Sequence, residues 1–192
     1  MLNILIYIFI TLLFCVNIYF IIKFVEYVYC AFIIKQPPNV STVKITKQKI
    51  VEQINTYYKM AKTVCDIGSG YGNLARFIAK NTNKKVVGIE NVKFSVYVSK
   101  ILNVFCGGNL KIIQHDAYDY FDKTEQIFDI CIAYLGPQEV QKLIKYKHKM
   151  RVLICVDFKI NSVKPTRIIN AGHGYTLFNH KKYPHKLFIY EF

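Results

Sequence analysis

Three glycines at every second position, Gly68, Gly70 and Gly72, follow the apolar run Val64-Cys65-Asp66-Ile67, with Ser69 and Tyr71 between them. Asn73–Lys80 then has helical spacing. A strand, a tight glycine turn and a helix bring backbone amides against a nucleotide-like ligand in α/β proteins. Glycine suits such a turn because it tolerates positive φ and, lacking Cβ, lets a ligand touch the main chain. Other polar residues fall where strands are expected to end. Glu90 closes Lys85–Glu90, Asp116 follows Leu110–Gln114, Tyr134 ends Phe128–Tyr134, and Asp157 follows Val152–Val156. In an open α/β sheet these carboxyl ends are where ligands bind.

An acid ending the second strand is placed to accept both hydroxyls of a ribose, and hydrogen bonds to a charged acceptor contribute roughly 1.5–3 kcal/mol each. The turn and Glu90 together imply an adenosine-containing ligand. The dinucleotide fingerprint G-x-G-x-x-G/A is not met, because Asn73 stands at the third site and Gly72 sits one residue early. Asp66 just before the turn disfavours a pyrophosphate and favours an ammonium group. S-adenosylmethionine has an ammonium, a sulfonium and no phosphate, and is the cofactor expected.

These elements need a scaffold. Strands alternating with helices predict a Rossmann-like, doubly wound sheet. An amphipathic helix is expected over Thr46–Lys62, and a helix over Val92–Phe105 with Phe94, Val98, Ile101 and Phe105 stacked along one side. A basic helix is expected over Gln138–Lys149, a loop over Asn161–Asn170, and two closing strands at Gly174–Phe178 and Leu187–Phe192. The six cysteines form no C-x-x-C pair and read as small apolar residues in a reducing compartment. His148, His173, His180 and His185 show no metal spacing, so no metal is expected. His115 reads as a lone strand-end histidine without a catalytic role.

Leu2–Ile22 carries no charged side chain, a run of 21 residues against the roughly 20 that cross a bilayer core as a helix. Without a basic n-region or a small-x-small cleavage site it reads as an uncleaved anchor rather than a signal peptide. The expected organisation is an anchor at 1–34, a linker containing Pro37-Pro38 at 35–45 and a catalytic domain at 46–192. Lys23 and Glu26 are the only charges before residue 35, so residues 35–192 carry the whole net charge of +14. Lys35, Lys44, Lys47 and Lys49 after the apolar segment predict a single-pass membrane protein with a cytoplasmic domain, held near anionic headgroups.

The series Asp66-Ile67-Gly68-Ser69-Gly70-Tyr71-Gly72, Glu90 and Asp116 resembles that of class I S-adenosylmethionine-dependent methyltransferases, over about Thr63–Asp157. The resemblance implies a seven-stranded sheet whose last strand inserts antiparallel. It also implies that Gly68–Gly72 face the methionine part, Glu90 the ribose and Asp116 the adenine amino group, with Ala117 counted among the cofactor-binding residues.

A narrower resemblance is to the membrane-anchored lysine methyltransferases acting on the adenine nucleotide translocase and the ATP synthase c-subunit. It rests on the hydrophobic N-terminus, the Pro-containing linker, D-x-G-S-G-x-G, Tyr134-Leu135-Gly136-Pro137 and Val156-Asp157-Phe158. The chain departs from it in having no tryptophan near Ser162-Val163.

The resulting expectation is methylation of a lysine in a membrane or membrane-proximal protein, with Tyr134 and Asp157 around the acceptor. A low-dielectric channel would keep the lysine amine neutral. The alternatives are a lipid headgroup or small hydrophobic acceptor, and a silent cofactor-binding interaction domain. Nucleic acid is not expected as a partner, because amino-methylating DNA enzymes typically place a polar-Pro-Pro-aromatic turn after strand four.

Overall fold

Short apolar runs separated by turn residues produce the sheet, and their pairing is read from a computed structural model that describes residues 2–28, 42–105, 108–175 and 182–192. The chain divides into two units, Met1–Val40 and Ser41–Phe192. In the first, α1 runs from Leu2 to Val28. Its large side chains point outward, with Tyr7, Phe9, Phe14 and Phe24 each about two-thirds exposed. Among the described residues, no helix meets the length and apolarity of a membrane span, so the expected transmembrane anchor is not shown. The linker prolines, Cys30, Cys106 and His180 lie outside the described residues.

The second unit opens with α2 (Lys44–Tyr57) and continues through β1 (Thr63–Ile67), α3 (Asn73–Asn81), β2 (Lys85–Glu90), α4 (Lys93–Val104), β3 (Leu110–Gln114) and α5 (Ala117–Lys123). It then runs through β4 (Phe128–Ala133), α6 (Pro137–Lys142), a 3-10 segment (Leu143–Lys149), β5 (Met150–Val156), β6 (Arg167–Tyr175) and β7 (Lys182–Glu191). The seven strands lie in the order β3-β2-β1-β4-β5-β7-β6. The first five are parallel, and β7 inserts antiparallel between β5 and β6, as the methyltransferase resemblance implies.

Alternation along the strands builds two cores. Val64, Ile130, Ile132, Val152, Ile154, Leu187 and Ile189 face α2 and α3, where Ile50, Ile54, Ala75 and Ile78 cover them. Cys65, Ile67, Cys131, Leu153, Cys155 and Phe188 face the other way, onto Phe121, Val140 and Leu143. Side chains that alternate at period two while both faces are covered give the continuous apolar runs seen in the sequence. Cys65, Cys131 and Cys155 are free and buried, and burial pushes the Cys155 thiol up to about 12.

Several expectations are corrected. The first helix of the domain ends at Tyr57 rather than Lys62, and the chain then turns through Tyr58–Lys62 into β1. The basic helix tightens to 3-10 at Leu143, with Tyr146 at φ −101°. The Asn161–Asn170 loop gives way to strand at Arg167, where β6 pairs with β7. No helix was expected over Ala117–Lys123; Asp116 caps one there, its Oδ1 accepting from the N–H groups of Tyr118 (2.9 Å) and Asp119 (3.1 Å).

The orientation of α4 is set by packing against the glycine turn. The helix buries Ser95, Val96 and Ser99, while Phe94, Ile101 and Phe105 are exposed. The cause is close packing: a Cβ on Gly72 would come within 2.3 Å of Ser99 Oγ, so only small side chains fit on the inward face.

Tyr190, 1% exposed, ties the segment after β5 to the sheet: its hydroxyl accepts from the buried N–H of Ile160 at 2.7 Å. Tyr190→Phe leaves that N–H without a partner, and is expected to lower unfolding stability by about 1–3 kcal/mol in urea titration, with the m-value unchanged.

Candidate active site

The glycine turn is held by the end of the neighbouring strand. The N–H groups of Gly68 and Ser69 both donate to the Ile89 carbonyl, at 2.9 and 3.0 Å. Gly72 N–H donates to Ser69 O at 2.8 Å and closes the turn. Gly68, Gly70 and Gly72 have φ of +70°, +54° and +72°, which side chains with a Cβ rarely adopt. Gly72 is also the residue from which α3 starts.

Glu90, 9% exposed, lies against this turn. Its Oε2 accepts from Gly70 N–H at 2.8 Å, and its Oε1 accepts from Val92 N–H at 2.9 Å. The carboxylate expected to meet a ribose thus also fixes the turn, and each of its oxygens has a second lone pair for a ligand hydroxyl. Asp116 sits at the end of β3, with Ala117 opening α5 behind it. His115 Nδ1 is 2.9 Å from Asp116 O.

Asp66 is 3% exposed, and its Oδ2 has no hydrogen-bond partner. Burial, reinforced by the nearby charge of Glu90, pushes its carboxyl up to about 7, although the Ala75 N–H opposes the shift. Ser69 Oγ is likewise buried without a partner. Two orphaned acceptors beside a glycine turn fit a group that brings donors, and an ammonium is such a group. Leu135 covers the start of the turn: a Cβ on Gly68 would lie 2.6 Å from its Cδ2.

Tyr134 and Asp157, the two residues expected around the acceptor, come together at the ends of β4 and β5. Burial, with Asp157 and Tyr183 close by, pushes the Tyr134 hydroxyl well above its ordinary range. Asp157 stands at φ +67°, a strained conformation for a residue with a Cβ. Its N–H donates to Lys186 O at 2.8 Å, and its Oδ1 accepts from Lys186 N–H at 3.2 Å.

The sequence reading missed the third member, His185. Its Nδ1 is 2.8 Å from Asp157 Oδ2, it is 2% exposed, and its Nε2 has no partner. The rings of Tyr134 and Tyr183 meet it edge-on at 6.3 and 5.0 Å. No local signal marks His185, because only the insertion of β7 beside β5 carries it to Asp157. Among the described residues no cluster of side chains could hold a metal.

The model of the ribosomal RNA adenine dimethylase family matches residues 42–156, the stretch holding the glycine turn, Glu90, Asp116 and Tyr134. No curated protein matches the chain by sequence. Among solved structures, an RNA methyltransferase from Salinibacter ruber in complex with S-adenosyl-L-homocysteine is similar, with a TM-score of 0.63 and 18% identity over 79% of this chain and 93% of that one. A putative RNA methyltransferase from Pyrococcus horikoshii has a TM-score of 0.60 and 14% identity over 76% and 82%. A precorrin-8w decarboxylase from Methanobacterium thermoautotrophicum has a TM-score of 0.59 and 13% identity over 80% and 93%. At such identities the likeness concerns the fold.

The family match overturns the expectation that nucleic acid is no partner: the turn after β4 and the net charge were too indirect to decide it. The narrower likeness to the translocase and c-subunit lysine methyltransferases is not established by these comparisons. The chain belongs to the ribosomal RNA adenine dimethylase family and is a class I S-adenosylmethionine-dependent methyltransferase.

Proposed function

We propose that the chain methylates RNA at a nucleobase nitrogen. The observation that carries this reading is the family match over residues 42–156. Two of the similar structures, the Salinibacter and Pyrococcus proteins, are described as RNA methyltransferases, the second as a putative one. The domain's excess of basic residues suits a phosphate backbone, which dominates such affinities.

In this reading Asp66 and Ser69 receive the ammonium end of S-adenosylmethionine, Gly68–Gly72 face its methionine part, Glu90 takes the ribose hydroxyls, and Asp116 and Ala117 border the adenine. The cofactor supplies the methyl group on a sulfonium. The chain must align the acceptor lone pair with the methyl–sulfur bond and exclude water, and such alignment supplies much of the rate. Tyr134, half-buried at the mouth of β4, is the side chain placed to orient the acceptor; Asp157 and His185 hold its surroundings rigid.

A second acceptor, a protein lysine, is favoured by one specific observation. Tyr134-Leu135-Gly136-Pro137 lacks the polar-Pro-Pro-aromatic pattern typical of amino-methylating DNA enzymes, and it borders the half-buried Tyr134 and Asp157 and the buried His185. Membrane localisation with a cytoplasmic domain is likewise a proposal. It is supported by the uncharged run Leu2–Ile22 and by the outward apolar side chains of α1.

The acceptor is tested with methyl-labelled S-adenosylmethionine, the full chain, and RNA and membrane protein from the same cells. Label is expected in the nuclease-sensitive fraction. Label confined to acid-precipitable, nuclease-resistant protein would instead establish the lysine reading. Glu90→Ala is expected to weaken S-adenosylhomocysteine binding about 10–100-fold by calorimetry, the equivalent of one hydrogen bond to a charged acceptor; an unchanged affinity removes Glu90 from the site.

Asp66 gives a pH-dependent signature. A buried carboxyl titrating at about 7 is mostly protonated at pH 6, and a ligand ammonium beside it favours the ionised form. Binding of S-adenosylhomocysteine at pH 6 should therefore release up to one proton to the buffer, measured from calorimetric heats in buffers of different ionisation enthalpy. Asp66→Asn should abolish the release.

The sign for stability follows from the same shift. The folded-state value lies above the ordinary carboxyl value of 3.8, so Asp66's contribution is fully present below about pH 4 and lost as pH rises through about 7. The stability of Asp66→Asn relative to the parent chain, followed by urea unfolding, should accordingly rise across that window.

A further inference from the structure

α4 is built inside out. A surface helix normally turns its apolar stripe to the core. Here the inward side is Ser95, Val96 and Ser99, and the outward side carries Phe94 (46% exposed), Tyr97 (65%), Ile101 (43%), Val104 (80%) and Phe105 (82%). At 100° per residue these five fall within an arc of about 100°. Exposed apolar stripes of this kind mark an interaction surface.

We propose that this face of α4 seats in the headgroup–acyl boundary of an anionic bilayer. Two observations choose lipid. Lys93 and Lys100, one heptad apart and both exposed, line one flank of the stripe, and Lys111 follows on β3. From Asn91 to Gln114 there is no carboxylate. Aromatic and aliphatic side chains on one face with lysines at its border is the pattern of interfacial helices, where each basic residue near an anionic surface adds to the attraction.

A second copy of the chain would bring lysines to this face and no carboxylate to meet them. An RNA strand would leave Ile101 and Val104 without a partner, because bases stack on aromatic rings. The helix follows the strand that ends in Glu90 and precedes the one that ends beside Asp116, and Phe94 meets Tyr71 of the glycine turn edge-on at 6.5 Å. Seating α4 therefore sets the cofactor turn at the membrane surface. The inference does not depend on the identity of the methyl acceptor.

The chain has no tryptophan, so one introduced indole is an unambiguous probe. The full chain carrying Tyr97→Trp, or Val104→Trp at a more exposed position should the first variant fail to fold, is mixed with vesicles of phosphatidylcholine and phosphatidylserine. Flotation reports binding, and the indole reports where α4 lies. The expected result is a blue-shifted emission, quenched by brominated acyl chains, that weakens in pure phosphatidylcholine. Adding Lys93→Ala and Lys100→Ala should move the ratio of inserted to exposed indole about thirtyfold toward water, the equivalent of two basic contacts.

Flotation with an unshifted, unquenched indole overturns the proposal while leaving membrane binding elsewhere in the chain intact. Absence of flotation overturns both. A blue shift that appears without vesicles and grows with protein concentration identifies a second copy as the occupant instead.

Discussion

The carbonyl of Ile89 and the carboxylate of Glu90 hold the glycine turn, and the rest of the site follows from that attachment. Gly68 and Ser69 donate to the first and Gly70 to the second. The turn thus continues the β1–β2 pairing past the strand ends, where the backbone would otherwise be left without partners. Positive φ at all three glycines lets the chain reverse into α3 within a few residues. The same reversal leaves Asp66 and Ser69 buried with unpartnered oxygens. The cradle is therefore prepared for a ligand that brings donors.

The opposite half of the site depends on a different constraint. β7 runs antiparallel between β5 and β6, so residues near the carboxyl terminus lie beside the ends of β4 and β5. That crossing sets His185 against Asp157 and both against Tyr134. Asp157 is held at positive φ by reciprocal backbone and side-chain bonds to Lys186. Such strain persists only where its surroundings over-determine it, and here they are the ends of β4 and β5 and the first residues of β7.

The close approach of α4 to the glycine turn has a consequence on its far side. Ser99 leaves room for Gly72 and Arg76, and Arg76 Nη1 lies 3.4 Å from Ser99 O. A helix whose small residues are needed inward must put its large ones outward. The apolar composition of α4 therefore does not report its buried face, and a periodicity argument that equates apolar with buried inverts it.

The amino-acid sequence by itself determined β2 and β3 to the residue, β1 as the run that ends at Ile67, the glycine turn between β1 and α3, and the nature of the cofactor. Each is a local matter: β-branched runs, glycine φ, and an acid placed at a strand end. It also made legible that Tyr134 and Asp157 stand at strand mouths, because both directly follow apolar runs. Only the tertiary structure decided that β6 begins at Arg167, that α4 faces outward with its aromatic rings, and that His185 belongs with Asp157. Those features arise from pairing and packing between segments distant in the chain. No spacing within a segment encodes the space that a neighbour will leave it.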